Sequence, residues 1–116
     1  MSPADPPRRT RRTPLPVSRA LRDTGEHVTV WRKLRGLTQS QVAERADVSL
    51  GTVRRLEAGQ GAVSLENSLR IFRALGILDG VPAAIDPYSS DLGRLRSEEH
   101  LPRRVRPRKP SEPNDD

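Results

Sequence analysis

The chain has no cysteine. That excludes disulfides, thiolate metal sites and a cysteine nucleophile, and it fits a reducing compartment. Aromatic residues are almost as scarce: Trp31, Phe72 and Tyr88 are the only ones, 3% of the chain. With hydrophobic residues at 33% of 116, there is enough apolar surface for one modest core but too little to order the whole length, so disordered ends are expected. No apolar run approaches the ~18 residues of a membrane span, and the N-terminus lacks a signal peptide's apolar stretch. A soluble, cytoplasmic chain without a membrane partner is therefore expected.

Catalytic arrangements are missing too. There is no Gly-rich phosphate loop and no nucleophile with a plausible histidine base. His27 and His100 have no second His, Cys or carboxylate at a ligand spacing, and Glu98-Glu99 beside His100 reads as a charge run. No metal, no cofactor and no enzymatic activity are expected.

Proline is plentiful but unevenly placed. The eleven prolines sit at 3, 6, 7, 14 and 16, then at 82, 87, 102, 107, 110 and 113. The proline-free stretch between Val17 and Val81 marks the folded part. Charge follows the same division: +5 over residues 1–22, +1 over 23–80, and zero over 81–116, where +5 at 94–109 is offset by −3 in the last seven residues together with Asp86 and Asp91. A nearly neutral domain flanked by basic segments points to polyanionic partners. Of the 21 basic residues only Lys33 and Lys109 are lysines. Codon bias in a GC-rich genome and a role in phosphate binding explain that equally well.

The chain divides into an Arg/Pro-rich arm (1–17), a domain (18–86) and a mostly disordered basic/acidic tail (87–116). A helical pattern begins near Ala20, is interrupted at Gly25, and continues with Val28, Trp31 and Leu34 on one face, ending at Gly36. Trp31 reads as core. Thr38-Gln39-Ser40-Gln41 is a capping box opening a second helix, with Val42, Ala43 and Ala46 inward. Asp47 occupies a turn, tolerating the left-handed conformation. Ser49 caps a third helix, whose Val53 and Leu56 face the core and whose Leu50, Gly51, Arg54 and Arg55 face outward. Ser64 caps a fourth helix with a stripe of Leu65, Leu69, Phe72 and Leu75, ending at Gly76. A short fifth helix spans Ile77 to about Ile85, and Asp91 to Leu101 has slight helical character.

Two short capped helices joined by a three- to four-residue turn, at residues 38–59, make a helix-turn-helix. The stretch from Leu37 to Gly59, with its Leu-Thr-Gln start and Arg-Leu-Glu-Ala-Gly close, resembles the phage-repressor type, the Xre or Cro/C1 family, over roughly residues 26–80. The resemblance implies an all-α, compact, five-helix, lambda-repressor-like DNA-binding domain with disordered N- and C-terminal tails. It also implies a cytoplasmic, nucleoid-associated transcriptional regulator, usually a repressor, binding an inverted-repeat operator in double-stranded DNA as a homodimer.

Carried over by position, the resemblance assigns phosphate contacts to Gln39, Ser49 and Thr52 and base reading to Leu50, Gly51, Arg54 and Arg55. It pairs Arg32 with Glu57 in a structural salt bridge. The residues support part of this on their own. A helix N-terminus seats a phosphate, Arg reads guanine bidentately, and Leu50 suits a thymine methyl. Arg54 and Arg55 point about 100° apart, so at most one can aim squarely into the groove; the family position favours Arg55 for bases and leaves Arg54 to a phosphate or to solvent. Thr52 also fits as a satisfied surface hydroxyl. Gly51 costs the helix ~1 kcal/mol and either permits close approach to DNA or removes a base contact. Arg8, Arg9, Arg11 and Arg12 fit either a minor-groove arm or a solubilising tail. The run Arg103 to Lys109 has the same two readings and a third, a docking peptide. The segment from Asp86 to Arg106 resembles the C-terminal extension of HipB-type antitoxins, which partner a HipA-like kinase toxin.

Overall fold

Gly25 lies where two helices touch. In the computed structural model, which describes residues 11–100, helix α1 runs unbroken from Leu15 to Leu34, and the glycine expected to interrupt it is buried. A Cβ on Gly25 would lie 2.5 Å from the carbonyl oxygen of Glu57 and 2.6 Å from that of Leu56, both on α3 (Leu50–Glu57). The helix-propensity penalty of about 1 kcal/mol is accepted because only glycine lets the backbones meet.

α1 also begins earlier than expected, moving the boundary of the arm from 17 back to 14. Pro16 sits in the first turn, where its missing N–H is no loss. The N–H groups of Val17 and Ser18 both donate to the Pro14 carbonyl at 3.0 Å. Of the segments expected to be disordered, 1–17 and most of 87–116, the parts at 1–10 and 101–116, with Arg8, Arg9 and the 103–109 basic run, lie outside the described residues.

Two short helices follow, α2 (Gln39–Ala46) and then α3, and α4 (Leu65–Leu75) completes the first unit, which closes at Leu78. The main contacts are α1 with α3, and α2 with both α3 and α4. Val28, Val42, Val53, Ile71 and Leu75 are fully enclosed, with Leu37, Ala43, Ala46, Leu56 and Phe72 around them. The inward residues expected on α2 and α3 are all in this core.

Trp31 is not. It is 37% exposed, and Leu34 is 70% exposed. The inward line of α1 runs through Gly25, Val28 and Arg32, because the glycine contact and the Arg32 ion pair set the rotation of the helix. Trp31 falls at the edge, where the Arg35 guanidinium lies over its ring at 5.2 Å, a cation–π arrangement. Arg35 Nε in turn donates to the Leu75 carbonyl at 2.9 Å, at the end of α4. α4 shows a similar shift: Ile71, not anticipated, is fully buried, whereas Leu65 is 70% exposed.

The second unit contains α5 (Gly80–Ala84), a 3₁₀ turn (Pro87–Ser89) and α6 (Asp91–His100). The expected fifth helix starts three residues late, because the Ile77 N–H closes the α4 cap on the Phe72 carbonyl at 2.9 Å. α6 turns the slight helical character of 91–101 into a full element held by local bonds. Gly93 N–H donates to Ser90 Oγ at 2.9 Å, and Arg94 Nη1 donates to the Tyr88 carbonyl at 2.7 Å. Six helices and no strand are present among the described residues, and none of those helices is long and apolar enough to cross a membrane.

Candidate nucleic-acid interface

The geometry of α3 is fixed at both ends. On the N-terminal side, the capping box sets the start of α2: Gln41 N–H donates to Thr38 Oγ1 at 3.0 Å, and Thr38 N–H donates to Gln41 Oε1 at 2.8 Å. Asp47 then takes the left-handed conformation, φ 59° and ψ 49°, a placement Asp tolerates better than most residues. This closes α2, with Val48 N–H reaching back to the Ala43 carbonyl at 3.1 Å. Ser49 follows as the cap of α3, accepting from Thr52 N–H at 3.1 Å.

Beyond the cap, a short polar chain runs along the start of α3. Ser49 Oγ and Thr52 Oγ1 are 2.8 Å apart, and Arg55 Nη2 donates to Thr52 Oγ1 at 3.3 Å. Thr52 is buried, so its hydroxyl is committed to Ser49 and Arg55, whereas Ser49 is exposed. Leu50 and Gly51 are half-buried, and Arg54 and Arg55 are exposed. The Arg55 guanidinium folds back toward the helix N-terminus, and a Cβ on Gly51 would lie 3.4 Å from Arg55 Nη1. This is ordinary contact, so the conformation does not demand glycine there.

The C-terminal end of α3 is anchored through Glu57, whose side chain is only 6% exposed. Arg32 grips it from α1 with two bonds, Nε to Oε2 at 2.6 Å and Nη2 to Oε1 at 3.0 Å, the bidentate geometry in which such pairs are strongest. Thr29 Oγ1 donates to Oε1 at 2.8 Å, and Gln39 Nε2 donates to the same oxygen at 3.0 Å from the start of α2. Arg32 Nη1 also reaches the Leu37 carbonyl at 3.1 Å. Burial pushes the Glu57 carboxyl up, but hydrogen bonds from Arg32, Gln39 and Thr29, with the Arg32 charge, outweigh it and hold Glu57 below the ordinary carboxylate range. The bond to Glu57 raises Arg32 in turn, against a smaller opposing effect of burial.

One carboxylate thus ties α1, α2 and α3 into a single rigid head. Gln39 enters that head as a donor to Glu57. Thr29 belongs to it as well and was not among the residues expected there, although it stands three positions before Arg32 and so on the same helical face.

A second feature lies beside α3. Gly59, at φ +75°, packs against the α1 backbone, where a Cβ would meet the Arg22 Cα at 2.9 Å. α1 therefore crosses the end of α3 and carries the arm to the loop that follows. An open groove of about 480 Å³ there is lined by Arg11, Arg12, Val17 and Leu21 on one side and Gly61 and Ala62 on the other.

A family model described as helix-turn-helix matches residues 31–78. Comparison with curated proteins and with solved structures yields no match.

Proposed function

From the premise that residues 31–78 form a helix-turn-helix domain of the Cro/C1 type, a module of DNA-binding transcriptional regulators, we propose that this protein is a repressor that binds an inverted-repeat operator as a homodimer. α3 enters the major groove. Arg55 reads a base edge, and Leu50 and Gly51 lie against the neighbouring bases, with Arg54 on a phosphate. Ser49 and the free N–H groups at the start of α3 seat a backbone phosphate. Gln39 and Thr52 act mainly by holding the head in register, since their side chains already serve Glu57 and Arg55. The role is binding, not catalysis, and it places the protein on cytoplasmic, nucleoid DNA.

The observation that carries this reading is the outward presentation of Leu50, Gly51, Arg54 and Arg55 on a helix locked at one end by Ser49 and at the other by Glu57. Selection of binding sites from random duplex DNA tests it. Recovery of a two-fold-symmetric motif, with half-sites about one turn (~34 Å) apart, is the expected result.

A second function is compatible with the first. Leu92 and Leu95 are exposed on α6, a folded segment outside the helix-turn-helix match. This supports a protein-binding role for the segment that resembles the HipB-type extension: an antitoxin that captures a HipA-like kinase toxin and represses its own operon. Co-purification with the product of an adjacent kinase-like gene is the test.

A further inference from the structure

The sequence places Leu65 and Leu69 in the core, and the structure turns them partly outward. Leu65 is 70% exposed on the first turn of α4. Leu65, Leu69 and Leu78 form the apolar floor of an open groove of about 530 Å³, with Glu66, Arg70 and Arg73 on its rim. We infer that this groove is the face on which a second copy of the chain docks, antiparallel across a two-fold axis.

The argument for a second copy is the order of charge along α4. Glu66 stands at one end of the groove and Arg73 at the other, seven residues and so about 10 Å apart; Glu66 Oε2 already accepts from Arg70 Nη2 at 3.0 Å within the helix, but its carboxylate is 74% exposed and has room for a second donor. In a two-fold contact the same patch must complement itself. An axis passing between Leu69 and Arg70 sets Glu66 of each copy opposite Arg73 of the other. It also stacks the Leu69 side chains at the centre, beside the aliphatic stems of Arg70. Both ends of the groove are then paired across the axis and its apolar floor is covered.

The position suits a DNA-bound dimer. Arg70 Nη1 lies 3.7 Å from Asp47 Oδ2, in the turn that leads into α3. The groove therefore borders the reading head, and pairing across it brings the two turns to the same axis. This deepens the dimeric reading above and rests on it.

The test is sedimentation of the full chain without DNA over a concentration series, for the wild type and for Glu66→Arg, Arg73→Glu and the double swap. The wild type is expected to dimerise reversibly. Each single swap, counted twice per dimer, is expected to raise the dimer dissociation constant about tenfold or more, and the double swap to restore most of the loss. A wild type that stays monomeric, single swaps that dimerise like the wild type, or a double swap as weak as the singles would each overturn the inference. Because no DNA is present, failure of this face is distinct from failure of operator recognition, which the site selection reads separately.

Discussion

Arg32 Nε lies 2.6 Å from Glu57 Oε2 and joins α1 to the last turn of α3. Removing either partner strands a charge with little access to water. Arg32→Met and Glu57→Ala are each expected to destabilise the fold by about 3 kcal/mol, as read by urea denaturation with an unchanged slope. Replacing both with apolar residues is expected to recover a large part of that loss, since the unpaired charge, more than the missing bond, causes it.

The same carboxylate sets an acid limit. Glu57 is held below its ordinary value in the folded state, so its contribution is fully present above the unfolded value, about 4.3. It is lost as pH falls through the lowered folded value. Stability measured by denaturation is expected to decline below about pH 4.3, and Glu57→Gln, less stable at neutral pH, is expected to show a shallower decline.

Gly25 gives a purely steric prediction. An alanine there places its Cβ 2.5 Å from a backbone oxygen that no side-chain motion can move aside. Gly25→Ala is expected to cost about 1–3 kcal/mol or more, with α1 displaced from α3 and DNA affinity reduced. Gly61→Ala, where nothing lies within 4 Å, is expected to be near neutral by thermal melting.

Gly51 separates stability from recognition. An alanine Cβ fits at ordinary contact distance, so Gly51→Ala is expected to stabilise α3 by up to ~1 kcal/mol. If the bare backbone is what approaches the DNA, the same variant binds the selected operator more weakly while melting at a higher temperature. Both measurements on one protein decide the role.

The arm is tested by salt. Arg11 and Arg12 are positioned beside the loop after α3, and each phosphate that an arginine no longer neutralises takes about 0.9 off the slope of log affinity against log salt. Arg11→Ala with Arg12→Ala is expected to flatten that slope by up to ~2 and to weaken binding equally on all sequences. Truncation is better stopped before Leu15, where α1 begins.

Much of this architecture is legible in the residues. Thr38, Ser49 and Ser64 announce their helices because a cap is a local bond between neighbours in sequence. Val42, Val53 and Leu56 declare their faces because their helices are short and unambiguous. The errors fall where tertiary contact overrides local pattern. Gly25 reads as a break unless one knows that Glu57 comes to meet it, and Trp31 reads as core because its spacing from Val28 is right for a helix. What turns Trp31 outward is the Arg32–Glu57 pair, a contact between residues 25 apart in sequence. Leu65 follows the same logic: its stripe is real, but Ile71 takes the inner position and leaves it uncovered. The carboxylate hub was half visible, as Arg32 with Glu57. Its Thr29 and Gln39 donors emerge only when three helices converge.

We propose that Arg55 reads a base in the major groove, a claim decided by equilibrium binding of Arg55→Ala to the selected operator and to random duplex DNA. A loss of ~1–3 kcal/mol on the operator, with relaxed preference at one base pair per half-site and little change on random DNA, is predicted. Equal losses on both would contradict the claim and reduce Arg55 to a phosphate contact.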